Sequence, residues 1–215
     1  MNRLSKEALL LLIAAAPIVY MLLIWDQLPE SIPTHFNLAG EADSYSSKRT
    51  AAFFIAGSNL FIYVLMLITP KLDPKGKIMN MGANYASLRM IMQLFLAAIS
   101  AYIVYAGQMG EMQNPNLLMV IIGISLALLG NYFQVLRQNY FIGIKTPWTL
   151  ENETVWNKTH KLGGILWVIG GILIAITAFF ITATKPFMIV GGILLAIMTL
   201  VPVAYSYLLH QKLRK

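Results

Sequence analysis

Chemically useful side chains are sparse in this chain, and several of the polar ones sit inside long apolar runs. Arg89 and Gln93 stand four residues apart, so a helix would place them on one face. Asn131 and Gln134 stand three apart, with Arg137 and Gln138 continuing the same surface. In hydrocarbon such groups are costly, and each is a ligand-path hypothesis by default. The plainer readings are a snorkelling arginine at Arg89 and interhelical hydrogen bonds at Asn131 and Gln134. A polar cavity shared by the two pairs, as in a small-solute transporter, is the alternative. No run has Asp or Glu at its middle, which argues against a proton- or cation-coupled carrier. His35, Glu41 and Asp43 are the best available metal ligands, but one histidine with two scattered carboxylates is a poor set. No metal or other cofactor is expected. Cysteine is absent, which removes thiolate metal sites and cysteine nucleophiles. With no HExxH, no buried carboxylate pair and no convincing triad, enzymatic activity is not expected either.

The elements that must position these groups are membrane helices. The chain is 58% hydrophobic and 12% charged over 215 residues, more apolar surface than a water-soluble domain needs. Six segments approach the ~20 apolar residues a span requires: Ala8–Trp25, Ala51–Thr69, Ala86–Ala106, Leu117–Leu136, Gly163–Ile181 and Phe187–Leu209. The expected fold is therefore all-α and polytopic. A first helical hairpin covers residues 8–69 with an extracytoplasmic loop at 26–50, and a four-helix membrane domain covers 86–209 with a cytoplasmic loop at 137–162. Ala14-Ala15-Ala16 resembles a cleavage patch but lies mid-run, so the first segment reads as an uncleaved anchor. Pro17 and Pro202 are potential kinks. Gly170-Gly171 with Ala175, and Gly191-Gly192 with Ala196, permit close helix approach; their repeat-like strings follow from membrane composition.

Basic residues set the orientation. Arg3, Lys6, Lys71, Lys75, Lys77, Arg137, Lys145, Lys158, Lys161, Lys212, Arg214 and Lys215 fall on one side, against Lys48, Arg49 and Lys185 on the other. Both termini are thus expected in the cytoplasm of a multi-pass cell-membrane protein. The formal charge of +7 is mostly this orientation signal, with no basic stripe long enough to track nucleic acid.

Two loops are long enough to be specific. In the first, Pro29 and Pro33 impose extended backbone on the residues before them. Asn37 to Gly40 reads as a turn, and Ser46 or Ser47 as a cap on the second span. His35, Phe36, Asn37, Gly40 and Asp43 are its candidate ligand-binding residues. In the second loop, Thr146-Pro147 or Thr149 can start a helix. Glu151 and Glu153 fall in its first turn, and Lys158, His160 and Lys161 in its last. Trp148, Val155, Trp156 and Leu162 make an apolar stripe, so an amphipathic helix on the inner interface is expected, either as an aromatic anchor or as a docking surface.

The string NYFIGIKTPWTLENETVWNKTHKLGG resembles the signature of the Sdp immunity protein (SdpI) family of bacterial membrane proteins. Asn139, Gly143, Lys145, Thr146, Pro147, Trp148, Thr149, Leu150, Val155, Trp156 and His160 carry that likeness. The first loop, LPESIPTHFNLAGEADSYSSK, is similar to an uncharacterised domain often fused to the family. The resemblance implies a membrane immunity protein, of the bacteriocin-immunity kind, that confers resistance to a secreted toxic peptide. It also implies signal transduction, in which toxin binding outside is relayed to a cytoplasmic transcriptional repressor held at the signature loop.

Overall fold

The computed structural model describes residues 3–36, 42–109, 115–180 and 184–214. In chain order these form α1 (Arg3–Leu23), a short 3-10 turn (Trp25–Gln27), β1 (Ser31–Phe36), β2 (Ala42–Ser47) and α2 (Lys48–Leu72). A second 3-10 turn (Met79–Met81) precedes α3 (Ala83–Met109), α4 (Pro115–Phe133), α5 (Pro147–Glu151), α6 (Glu153–Phe180) and α7 (Thr184–Arg214). Among the described residues six helices are long and apolar enough to cross a membrane, α5 being too short. Their outward faces carry large apolar side chains such as Phe53, Phe61, Phe180 and Leu200, the pattern expected when lipid is the solvent. Pro17, Pro70 and Pro202 all lie inside helices, as spans tolerate.

Packing divides the helices into two groups, α1–α2–α3 and α4–α6–α7, joined where α3 meets α4. The tightest contact is α4 on α6, and its cause is glycine spaced by seven. A Cβ added at Gly123 would fall 2.6 Å from the Gly171 carbonyl oxygen and from the Ala175 nitrogen. At Gly171 it would fall 2.5 Å from the Gly123 oxygen and 2.6 Å from the Ala127 nitrogen. Gly130 and Gly164 repeat the arrangement one heptad along, so backbone rests on backbone. Of the two Gly-Gly strings, Gly171 makes such a contact and Gly170 packs against the Met198 side chain, whereas Gly191 and Gly192 face open space.

Two polar clusters tie the first group together. Asn59 on α2 donates to the Ser100 hydroxyl at 2.8 Å and to its own Ile55 carbonyl at 2.9 Å, and Gln93 donates to Asn59 Oδ1 at 3.3 Å. Nearer the start of α1, Glu7 accepts from both terminal nitrogens of Arg89, at 2.6 and 2.8 Å, and from the Tyr63 hydroxyl at 3.0 Å. Arg89 is therefore not a snorkelling cation but one half of an ion pair, its side chain only 10% exposed. Glu7 satisfies a charge that would otherwise be buried alone.

The first loop is more ordered than a coil. β1 and β2 pair antiparallel, with register shifts around His35. Pro33 sits on β1, in the extended backbone its ring favours. Ser47 caps α2, accepting from the Thr50 N–H at 3.2 Å. Asn37 to Gly40, read from sequence as a turn, lies outside the described residues.

Candidate functional site

The two loops occupy opposite ends of the helices. The hairpin lies against the end of α1 and the end of α3. Gln27 and Tyr20 both bond Gln108, and Ile32, 1% exposed, inserts beside Gly107, Met21 and Val104. The signature segment lies at the other end, where α1 and α3 start and α7 finishes: Trp148 packs on Tyr207, and Thr146 bonds Ser206. The loop between α2 and α3 joins it there. Lys75 donates to Gln138 at 3.1 Å, and Lys77 pairs with Glu153 at 3.0 Å.

At the signature end the backbone folds back on itself through local polar chemistry. The Asn139 carboxamide uses both ends: Oδ1 accepts from Phe141 and Ile142 N–H groups, each at 2.8 Å, while Nδ2 donates to the Arg137 and Ile142 carbonyls. Gly143 follows at φ +120, a conformation L side chains rarely adopt, and its Cα packs against the rings of His160 and Trp156. Ile144 N–H then donates to His160 Nε2 at 2.8 Å, which leaves the ring proton on Nδ1, aimed at the Trp156 carbonyl. Thr146 and Thr149 cap each other reciprocally around Pro147, and Thr149 also donates to the Ile144 carbonyl at 2.8 Å. Asn152 closes α5 and opens α6, accepting from Thr154 and Val155 N–H groups.

Trp156 is the centre of this plug. Its indole stacks on His160 with centroids 4.0 Å apart and donates to the Leu136 carbonyl at 2.7 Å. Asn139, Thr149, Val155 and Trp156 have no exposed area, and His160 has 1%. The expected interfacial helix is thus absent as a separate element. Residues 153–162 are the opening turns of α6, and their apolar stripe faces protein, because the irregular loop of residues 134–146 returns across it. The exposed residues at this end include Arg137, Lys145, Pro147, Glu151, Lys158 and Lys161, together with Tyr140 and Phe141. Lys145 reaches back to the Tyr140 and Phe141 carbonyls.

The hairpin end is built oppositely. His35 Nδ1 lies 2.5 Å from Asp43 Oδ1, with side chains 68% and 44% exposed. Phe36 closes β1; Asn37 and Gly40 lie outside the described residues. No group of three or more potential metal ligands occurs among the described residues. Below the hairpin, a 410 Å³ groove between α2 and α3 is lined by apolar side chains together with Thr34, Ser46, Ser58 and Ser100.

The intramembrane polar residues do not converge. Gln93 is buried with Asn59, whereas Asn131 is exposed in a groove between α4 and α6 and Gln134 is exposed just past the end of α4. Sequence reasoning missed Glu7, Tyr63, Asn59 and Ser100, each of which bonds a residue far along the chain.

Residues 135–206 match the SdpI/YfhL protein family, and residues 12–58 match a domain of unknown function, DUF1648. The chain is 28% identical over 212 residues to the immunity protein SdpI of Bacillus subtilis (strain 168), covering 97% of this chain and 98% of that protein. Over residues 135–206 the chain is thus similar to the SdpI/YfhL family, and over nearly its whole length to an immunity protein. It is accordingly a multi-pass membrane protein. The family match spans the plug, α6 and most of α7; the second match spans the hairpin with the latter half of α1 and the first part of α2. No solved structure matches the chain.

Proposed function

We propose that this chain is a membrane immunity protein that protects its cell against a secreted antimicrobial peptide, with the hairpin end outside and the plug and both termini in the cytoplasm. The observation that carries the reading is the end-to-end similarity to an immunity protein, which includes the hairpin segment as well as the signature. The partition of basic residues supports the orientation. Toxin meets the exposed His35–Asp43 face of the hairpin and the groove beneath it. Its arrival is passed along α1, α2 and α3, which contact both ends, to a cytoplasmic autorepressor. The role is binding and relay, with no chemical step. Such a repressor would meet Arg137, Lys145, Lys158 and Lys161 rather than the buried Trp156.

A sensitive host expressing the chain is expected to survive the cognate peptide. Unchanged killing across a panel of secreted membrane-active peptides would overturn the reading. Charge reversal at Lys158 and Lys161 is expected to abolish induction of a reporter while leaving protection intact. The transporter alternative requires Arg89 and Gln93 to share a cavity with Asn131 and Gln134, and it finds no support in their placement.

A further inference from the structure

We propose that the cleft beside the Glu7–Arg89 pair is a binding site for the phosphate group of an anionic phospholipid. The cleft has a volume of 470 Å³ and opens between the first two turns of α1 and of α3. Its polar lining is Lys6, Glu7, Ser87 and Arg89, and its apolar lining includes Leu9 and Met90.

Three features point to an amphiphilic anion. The first is charge: Glu7 neutralises Arg89, but Lys6 makes no ion pair among the described residues, so the cleft carries a net positive charge. The second is spare donor capacity. A guanidinium has five N–H groups, and Glu7 takes one from each terminal nitrogen. The Ser87 hydroxyl has no hydrogen-bond partner among the described residues, and the start of α3 adds a favourable dipole for an anion. The third is order along the helix axes. On α1 Lys6 and Glu7 precede Leu9 and Leu10, so the polar groups lie nearer the helix start and the apolar ones about 4–5 Å deeper, while on α3 Ser87 and Arg89 lie between Ala86 and Met90. A head group above an acyl chain matches that gradient, whereas free phosphate uses only its upper half.

The test uses the full-length protein in nanodiscs of phosphatidylcholine alone or with phosphatidylglycerol, bound lipid being counted by native mass spectrometry. Wild type is expected to retain phosphatidylglycerol selectively, and Lys6→Gln to weaken that retention on the order of tenfold, the loss of one charge-assisted bond. Ser87→Ala should weaken it less, and Lys212→Gln, a lysine outside the cleft, should have no effect. Equal loss in Lys6→Gln and Lys212→Gln would reduce the effect to general surface charge and overturn the site. Absence of any preference for phosphatidylglycerol in wild type would do the same. Displacement of the lipid by millimolar glycerol phosphate would overturn the lipid as the occupant, leaving a soluble phosphate ester in its place.

Discussion

At the signature end, the motif's central polar and aromatic residues are turned inward: Asn139, Thr149 and Trp156 have no exposure, and each uses its polar atoms on a neighbouring backbone group. At the hairpin end, Ile32 and Leu28 are turned inward, while His35, Asp43 and Tyr45 face solvent. Both segments are loops between spans, and both contain Pro, Thr, Asn and aromatic residues. What separates them is where the apolar side chains go. In the hairpin they dock the strand pair onto α1, α2 and α3 and leave the polar face free. In the plug they bring Leu136, Trp156 and the loop after α2 into one core, and the polar groups are spent holding the backbone bends. The motif residues therefore build a closed core at one end, which presents a partner only with flanking charges such as Arg137, Lys145, Lys158 and Lys161, whereas the hairpin presents polar side chains of its own strands.

Trp156→Ala breaks the comparison hardest. Large aromatic-to-alanine changes in a core cost about 3–5 kcal/mol, and the Leu136 carbonyl would lose its donor as well. Thermal unfolding in detergent should shift strongly, and protection and induction should fail together. A Trp156→Ala protein with wild-type melting that lost induction alone would show the plug to be a contact surface after all. Gly143→Ala comes next. The added methyl meets His160 and Trp156 in a backbone conformation that disfavours any Cβ, an overpacking cost of about 1–3 kcal/mol. Unchanged melting would show that the residue 141–145 loop can move away from α6.

How much of this contrast was legible beforehand depends on the range of the signal. The spans were readable because hydropathy is local, and so were the Ser47 and Thr146 caps, each of which bonds a residue three positions away. Glu7 is not legible, because it stands just before the apolar run that opens at Ala8 and its partner Arg89 is 82 residues distant. Gly171 is legible as a point of close approach, but its counterparts Gly123, Gly130 and Gly164 are not, because they are spaced by seven rather than four and act only as a pair of helices. Trp156 was placed at an interface because an aromatic stripe flanked by charges looks the same whether it meets lipid or a returning loop. Only the fold-back driven by Asn139 distinguishes them.

Between the ends, Asn59 offers a milder probe. Asn59→Ala removes its bond to Ser100 and leaves Gln93 without Oδ1, and interhelical bonds in membranes are worth about 0.6 kcal/mol on average and about 1.7 at most. A small fall in melting temperature is expected, with immunity retained if the relay runs through helix positions rather than through this polar bridge. At the hairpin, His35→Ala and Asp43→Ala should leave stability within about 0.5 kcal/mol, since both side chains are largely solvated. Protection should nevertheless fall in a killing assay. Full protection in the double variant would move toxin contact off the hairpin and into the α2–α3 groove.

The smallest effect expected is acidification of the hairpin. Glu30 accepts from the Lys48 ammonium at 2.9 Å, and that bond, with the lysine's charge behind it, holds the carboxyl below its ordinary range. The same two residues are joined by the Lys48 N–H to the Glu30 carbonyl at 3.0 Å, which sets where the strand pair gives way to α2. Because the folded value is depressed, the contribution is complete above the unfolded carboxylate value of about 4.3 and disappears as pH falls through the folded one. Hydrogen exchange at the Lys48 amide should thus be flat from neutral pH to about 5 and quicken below about 4, after correction for intrinsic exchange. Glu30→Gln should remove that acid-dependent step. If Glu30→Gln and wild type follow the same curve, the ion pair does not hold the junction and the buried Ile32 contact does so alone.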